Sequence, residues 1–168
     1  MRGLFKIKGL QQLKVHSGFY ATISLAAVGR LRLSINFVPE RGRILVCNFD
    51  MARVHPENAK IRRAAVVATR SYNERHGAGP GRCIVVPFSA TQPPALKPSD
   101  IFFAAGPYRA LTMDTWANCD SVMAVSHARL DRVRIRFGAW SEELLTADDL
   151  KRLEGGLRHA FGCPLDTD

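Results

Sequence analysis

From Val38 onward, short apolar runs follow one another between turn-forming residues, a pattern that predicts strands rather than long helices. Arg41-Gly42 opens the first run, Ile44, Leu45, Val46, Cys47 and Phe49. Its length and β-branched content predict a buried strand that Asp50 closes. A polar loop with His55-Pro56-Glu57-Asn58 precedes a second run at residues 64–68. Residues 72–82, which carry Asn73, Gly77, Gly79, Pro80 and Gly81, read as a long turn. A third strand is predicted at 83–88, and the proline-rich stretch 92–98 ends it, because proline cannot donate to a sheet ladder. Further strands are predicted at 101–105, 108–113 and 121–125, each bounded by Gly, Pro, Asn or Asp. Helix is confined to the end. Thr146-Ala147-Asp148-Asp149 offers a start resembling a capping box, and Leu150, Leu153, Leu157 and Phe161 make one apolar face before Gly162 and Pro164 stop it. The internal pair Gly155-Gly156 lowers helix propensity by about 1–2 kcal/mol, so packing of the leucine face must hold this helix.

Composition changes the picture in one respect. The chain has 168 residues, one domain's worth, with 24 Lys and Arg against 15 Asp and Glu, a formal charge of +9. Such a surplus attracts polyanions, nucleic acid first among them. It is unevenly placed: Arg2, Lys6, Lys8, Lys14, Arg30 and Arg32 stand in residues 1–39 without one acid, leaving +3 for the rest. A boundary is therefore expected near residue 36. Residues 1–36 would be a basic extension, either an RNA-binding arm without fixed structure or sequence translated from an upstream start, and residues 37–168 the functional domain. Cys47, Cys83, Cys119 and Cys163 lie far apart with no C-x-x-C spacing, which indicates neither a zinc site nor a disulfide framework and fits a reducing cytoplasm. No apolar run reaches the roughly 18 residues of a membrane span, although basic residues before 19–28 faintly imitate a signal peptide.

Two residues could carry chemistry. Arg62 lies at the mouth of the second strand and Ser89 at the far end of the third, where a strand pair can bring the termini together around one pocket. A guanidinium gives a planar fork of donors suited to phosphate oxygens, and a hydroxyl adds another. The bland alternative is a solvated charge and a turn hydroxyl. Glu57 could orient Arg62 through an ion pair, although an exposed pair contributes under ~1 kcal/mol. His16, His55, His76, His127 and His159 are scattered singles without metal-ligand spacing, so no metal or cofactor is expected. Cys47 reads as a small core residue. Trp116 and Trp140, in turn-like contexts, admit two readings: stacking on bases, or partial burial in the core.

The order of these segments resembles the MazF/PemK toxins of type II toxin-antitoxin pairs. V-P-E-R-G-R-I-L-V-C-N-F-D, from Val38, looks like the family's P-x-x-G-D-I-(aliphatic)-x-V-D-F-D opening. E-N-A-K-I-R-R-A-A-V-V-A-T-R-S-Y-N, from Glu57, is similar to its E-x-x-x-x-R-P-x-V-V stretch with a following Y-N, and Ser89 falls where the family usually has a catalytic threonine. Trp116-Ala117-Asn118-Cys119-Asp120 followed by Arg129-Leu130-Asp131 looks like the longer PemK-like branch. The sequence departs from the pattern at Arg63, where the family has proline, at Ser89, and in its leading extension and long stretch 93–120.

The resemblance implies a mainly β fold, a small SH3-like barrel of the MazF/PemK/CcdB type with a C-terminal α-helix. It implies a cytoplasmic, metal-independent endoribonuclease that cleaves single-stranded RNA through a 2′,3′-cyclic phosphate, acts as a homodimer, and is neutralised by a cognate antitoxin, with no membrane partner. Arg62 and Ser89 would be catalytic. Glu57, Arg63 and Thr91 would support or orient them, and Arg43, Arg70 and His55 would contact RNA. Two rivals stay open: a catalytically inactive module of the same fold that binds RNA or antitoxin, and a CcdB-like topoisomerase poison.

Overall fold

The computed structural model describes residues 34–50, 60–74, 77, 79–136 and 139–163, all within the unit Leu33–Asp168. Most of the leading extension, with His55, Glu57 and His76, lies outside the described residues. In chain order the strands are β1 (Ile44–Asn48), β2 (Ile61–Val66), β3 (Arg82–Ser89), β4 (Asp100–Phe103), β5 (Thr115–Asn118), β6 (Met123–Ser126), β7 (Leu130–Arg132), β8 (Arg134–Arg136) and β9 (Ala139–Trp140), followed by the helix α1 (Ala147–Ala160). The main sheet is antiparallel in the order β4-β5-β3-β2-β1-β7, with β6 also on β3, while β8 and β9 pair with each other. This is the expected mainly β fold with a C-terminal helix. Among the described residues the end strands β4 and β7 do not pair with each other, so these ladders alone do not close a barrel.

The continuous apolar runs of β1 and β2 reflect burial on both faces. On one face Ile44, Ala65, Val86 and Phe88 join Leu153 of the helix in one core. On the other, Leu45, Cys47, Ala64, Val66, Cys83 and Val85 pack with Val125 and Leu130 in a second. Ile35 is buried in this second core, and its amide donates to the His127 carbonyl at 3.3 Å. Burial pushes the Cys47, Cys83 and Cys119 thiols up to about 12, so they stay protonated and serve as packing groups.

Pro87 lies inside β3, where a proline is normally excluded. The reason is a change of neighbours. On its outer side β3 pairs with β6 through Arg82 to Val85 and with β5 only from Phe88. The Val67 amide donates to the Ile84 carbonyl at 3.0 Å. That bond fixes the phase of the β2–β3 ladder and turns the nitrogen of Pro87 away from β2, toward the stretch that neither outer strand occupies.

Two sequence expectations are corrected. Residues 108–113 form a packed loop instead of a strand. The amides of Arg109 and Ala110 donate to the carboxylate of Glu143 at 2.9 and 2.8 Å, which satisfies them without a ladder while Tyr108, Ala110 and Leu111 are buried. Conversely, residues 115–118 are strand β5, not a turn. The helix begins as expected, with Thr146 Oγ1 accepting from the Asp149 amide at 3.2 Å. Phe161, however, falls beyond its last turn and is 67% exposed, so the buried face ends sooner than the leucine spacing suggests.

Tyr108 ties that loop to the helix start. Its hydroxyl donates to Asp149 Oδ2 at 2.5 Å and accepts from the Thr146 amide at 3.0 Å. Burial works to raise the Asp149 carboxyl, but hydrogen bonds from Tyr108 and Arg152 outweigh it and hold the group below its ordinary 3.8. A depressed carboxylate stabilises the fold at pH values above its ordinary range, and that contribution fades as pH falls through the lower folded value. Tyr108→Phe is therefore expected to cost about 1–2 kcal/mol at neutral pH, with the difference from wild type narrowing in acid. Denaturant melts of both proteins at neutral and acid pH would check this.

Candidate active site at the end of the central ladder

The β1–β2 return is pinned at its base. Asp50 Oδ1 accepts from the Lys60 amide at 2.7 Å, Asn48 Oδ1 accepts from the Asp50 amide at 2.9 Å, and the Phe49 amide donates to the Lys60 carbonyl. Lys60 itself is left-handed, with φ +78°, a conformation unfavourable for a residue with a Cβ. These bonds deliver the chain into β2 in the register Asn48↔Ile61 and Cys47↔Arg62, which fixes the backbone position of Arg62.

Alternation along β2 sets Arg62 on the face of Cys47, Ala64 and Val66, at the margin of the second core. Ser89 ends β3 on that same face, in step with Cys83 and Val85. The paired ladder of β2 and β3 ends at Ala64↔Pro87. Arg62, paired with Cys47, and Ser89, paired with Trp116, each fall two positions past that last pair. Both are half-buried. The Ser89 hydroxyl accepts from the Thr91 amide at 3.2 Å and lies 3.3 Å from the Thr91 carbonyl, to which it can donate. Thr91 thus acts on Ser89 through its backbone, restricting the hydroxyl that the missing threonine methyl would otherwise leave free to rotate.

Arg63 faces the other way, opposite Val46 and toward the helix-side core. Its Nε is enclosed without a hydrogen-bond partner among the described residues. Arg43 and Arg70 are not gathered with Arg62. Arg43 precedes the other end of β1, its side chain only 12% exposed, 3.7 Å from Glu40 and over the Phe37 ring. Arg70 is exposed in the turn after β2. Trp140 lines a concavity of about 420 Å³ with Arg109, Ile135, Ser141, Glu142 and Glu143, near the start of β1 rather than beside Arg62.

Sequence reasoning missed what stands next to Ser89. The β3–β5 and β4–β5 ladders set Ser89 opposite Trp116 and Trp116 opposite Phe102. The two rings are 5.2 Å apart, and Phe102 is 41% exposed. The signal was available in Thr115-Trp116, two residues suited to a strand, but the flanking Asp114, Asn118 and Asp120 favoured a turn reading.

An antiparallel sheet with one C-terminal helix places this chain among small β-sheet proteins of the MazF-like fold. MazF of Deinococcus radiodurans superposes with a TM-score of 0.56 at 19% identity, over 76% of this chain and 99% of that one. An endoribonuclease from Mycobacterial species gives 0.51 at 18%, over 77% and 96%. A second mycobacterial endoribonuclease, in complex with its cognate antitoxin, gives 0.50 at 20%, over 76% and 98%. The PemK-like, MazF-like toxins of type II toxin-antitoxin systems match residues 40–161, and the chain belongs to that family. A comparison with curated proteins returns no match. No helix among the described residues is long and apolar enough to cross a membrane.

Proposed function

We propose that this protein is the toxin of a toxin-antitoxin pair and a cytoplasmic endoribonuclease that cuts single-stranded RNA without a metal, with residues 37–168 as the toxin unit and 1–36 as an extension. The observation that carries the reading is the β2–β3 register, which supports a meeting of Arg62 and Ser89 on one face. The ribose 2′-hydroxyl gives up its proton as its oxygen attacks the adjacent phosphorus, the bond to the 5′-oxygen breaks, and that oxygen takes up a proton. The products are a 2′,3′-cyclic phosphate and a free 5′-hydroxyl. Arg62 holds the extra negative charge on the phosphate oxygens, where preorganised donors act most strongly. The Ser89 hydroxyl, already oriented by Thr91, donates to the same group or passes a proton. The homodimer and the antitoxin follow from family membership. Structural neighbours described as toxin bound to cognate antitoxin support the second.

Incubation of purified protein with several single-stranded RNAs in the presence of a chelator tests the reading. Cut products with 5′-hydroxyl and cyclic-phosphate ends are expected. Intact RNA on every sequence would overturn the proposal in favour of a binding module or a poison acting by protein contact.

A further inference from the structure

We propose that Trp116, backed by Phe102, is the platform on which the nucleobase next to the scissile phosphate stacks; this rests on the ribonuclease reading above. Three ladders carry the argument. Cys47↔Arg62 stands on one side, Ser89↔Trp116 and Trp116↔Phe102 on the other, and extending the β2–β3 register two residues past its last pair, Ala64↔Pro87, aligns them in one row. Directly opposed residues of an antiparallel pair project from the same face. The row therefore reads guanidinium, hydroxyl, indole and phenyl in consecutive strands, each about 4.8 Å from the next.

That sequence of groups matches one nucleotide and its phosphate. A cation and a hydroxyl meet the charged half, and an aromatic surface one strand away meets the base. The opposite face cannot serve, because Phe88, Phe103 and Ala117 are buried there under the helix. On the proposed face Trp116 is only half-buried and Phe102 is 41% exposed, although large apolar rings are normally covered. The tilt of 53° between the two rings lets Phe102 brace the indole without covering it as a parallel stack would. Occupation by RNA, rather than by an apolar protein surface, is favoured by the arginine near the row and by the +3 surplus of residues 40–168. Stacking is indifferent to base identity, so Trp116 should strengthen binding without fixing sequence preference.

The test uses Trp140→Phe as background, so that emission reports Trp116 alone. An uncleavable RNA carrying a 2′-O-methyl group at the mapped cut site is expected to quench that emission. Trp116→Leu is expected to raise KM roughly tenfold with kcat little changed, and Trp116→Phe to recover most of the loss. An abasic nucleotide on one side of the cut should weaken wild type by a similar factor and Trp116→Leu hardly at all. Normal cleavage by wild type together with no quench, an unchanged KM in Trp116→Leu and indifference to abasic sites on both sides would overturn the platform alone. So would a Trp116→Leu protein whose only change is its oligomeric state by light scattering. Absence of cleavage in wild type would instead overturn the ribonuclease reading on which it rests.

Discussion

Arg62→Ala is expected to lower the rate of RNA cleavage by roughly 10²–10³-fold, about 2.7–4 kcal/mol of transition-state stabilisation, while leaving the fold intact. The size follows from the role proposed for the side chain. In the proposed reaction its planar fork would meet two phosphate oxygens at once, and the charge there would be larger in the transition state than in bound RNA, so kcat should suffer more than KM. Arg62→Lys keeps a cation but loses the fork, and an intermediate rate is expected. The neighbouring arginine provides the control. Arg63 is on the opposite face, against the helix-side core, so Arg63→Ala should leave the rate within a few-fold of wild type and show its effect in a denaturant melt instead. Single-turnover cleavage with saturating enzyme separates the two. A dead Arg63 variant beside an active Arg62 variant would reverse the assignment.

Gly156→Ala is expected to destabilise the protein by about 1–3 kcal/mol, the usual range for overpacking a filled core. A Cβ at Gly156 would lie 2.8 Å from Cys119 Sγ and 3.0 and 3.1 Å from two carbons of Ile101. Cys119 is fully buried and held beside the Leu153 carbonyl, so it has little room to yield. Gly155 is the opposite case, for a Cβ there meets nothing within 4 Å. Gly155→Ala should therefore stabilise by about 0.5–1 kcal/mol through helix propensity alone. Two adjacent glycines that look alike in sequence thus have substitutions of opposite sign, which thermal melts of the two single variants would show.

The double glycine illustrates how far the sequence could be read. Its propensity penalty was legible, and so was the need for packing, but not that one glycine lies against Cys119 and Ile101 while the other faces open space. The three strands around the site were legible because their apolar runs are buried on both faces. So were the positions of Arg62 near the start of β2 and Ser89 at the end of β3. The loop at 108–113 was misread because Tyr108, Ala110 and Leu111 are buried like strand residues, whereas their backbone is held by a distant glutamate that no local pattern announces. Trp116 was noticed and left ambiguous. Only the β3–β5 ladder, a contact between residues 27 apart in the chain, puts it beside Ser89.

Ser89 belongs to the strand that three others hydrogen-bond to, β2 on one edge and β6 then β5 on the other. A strand held on both edges is among the last elements to come loose, and releasing it takes the sheet apart. The hydroxyl at its end therefore keeps its place for as long as the sheet itself persists.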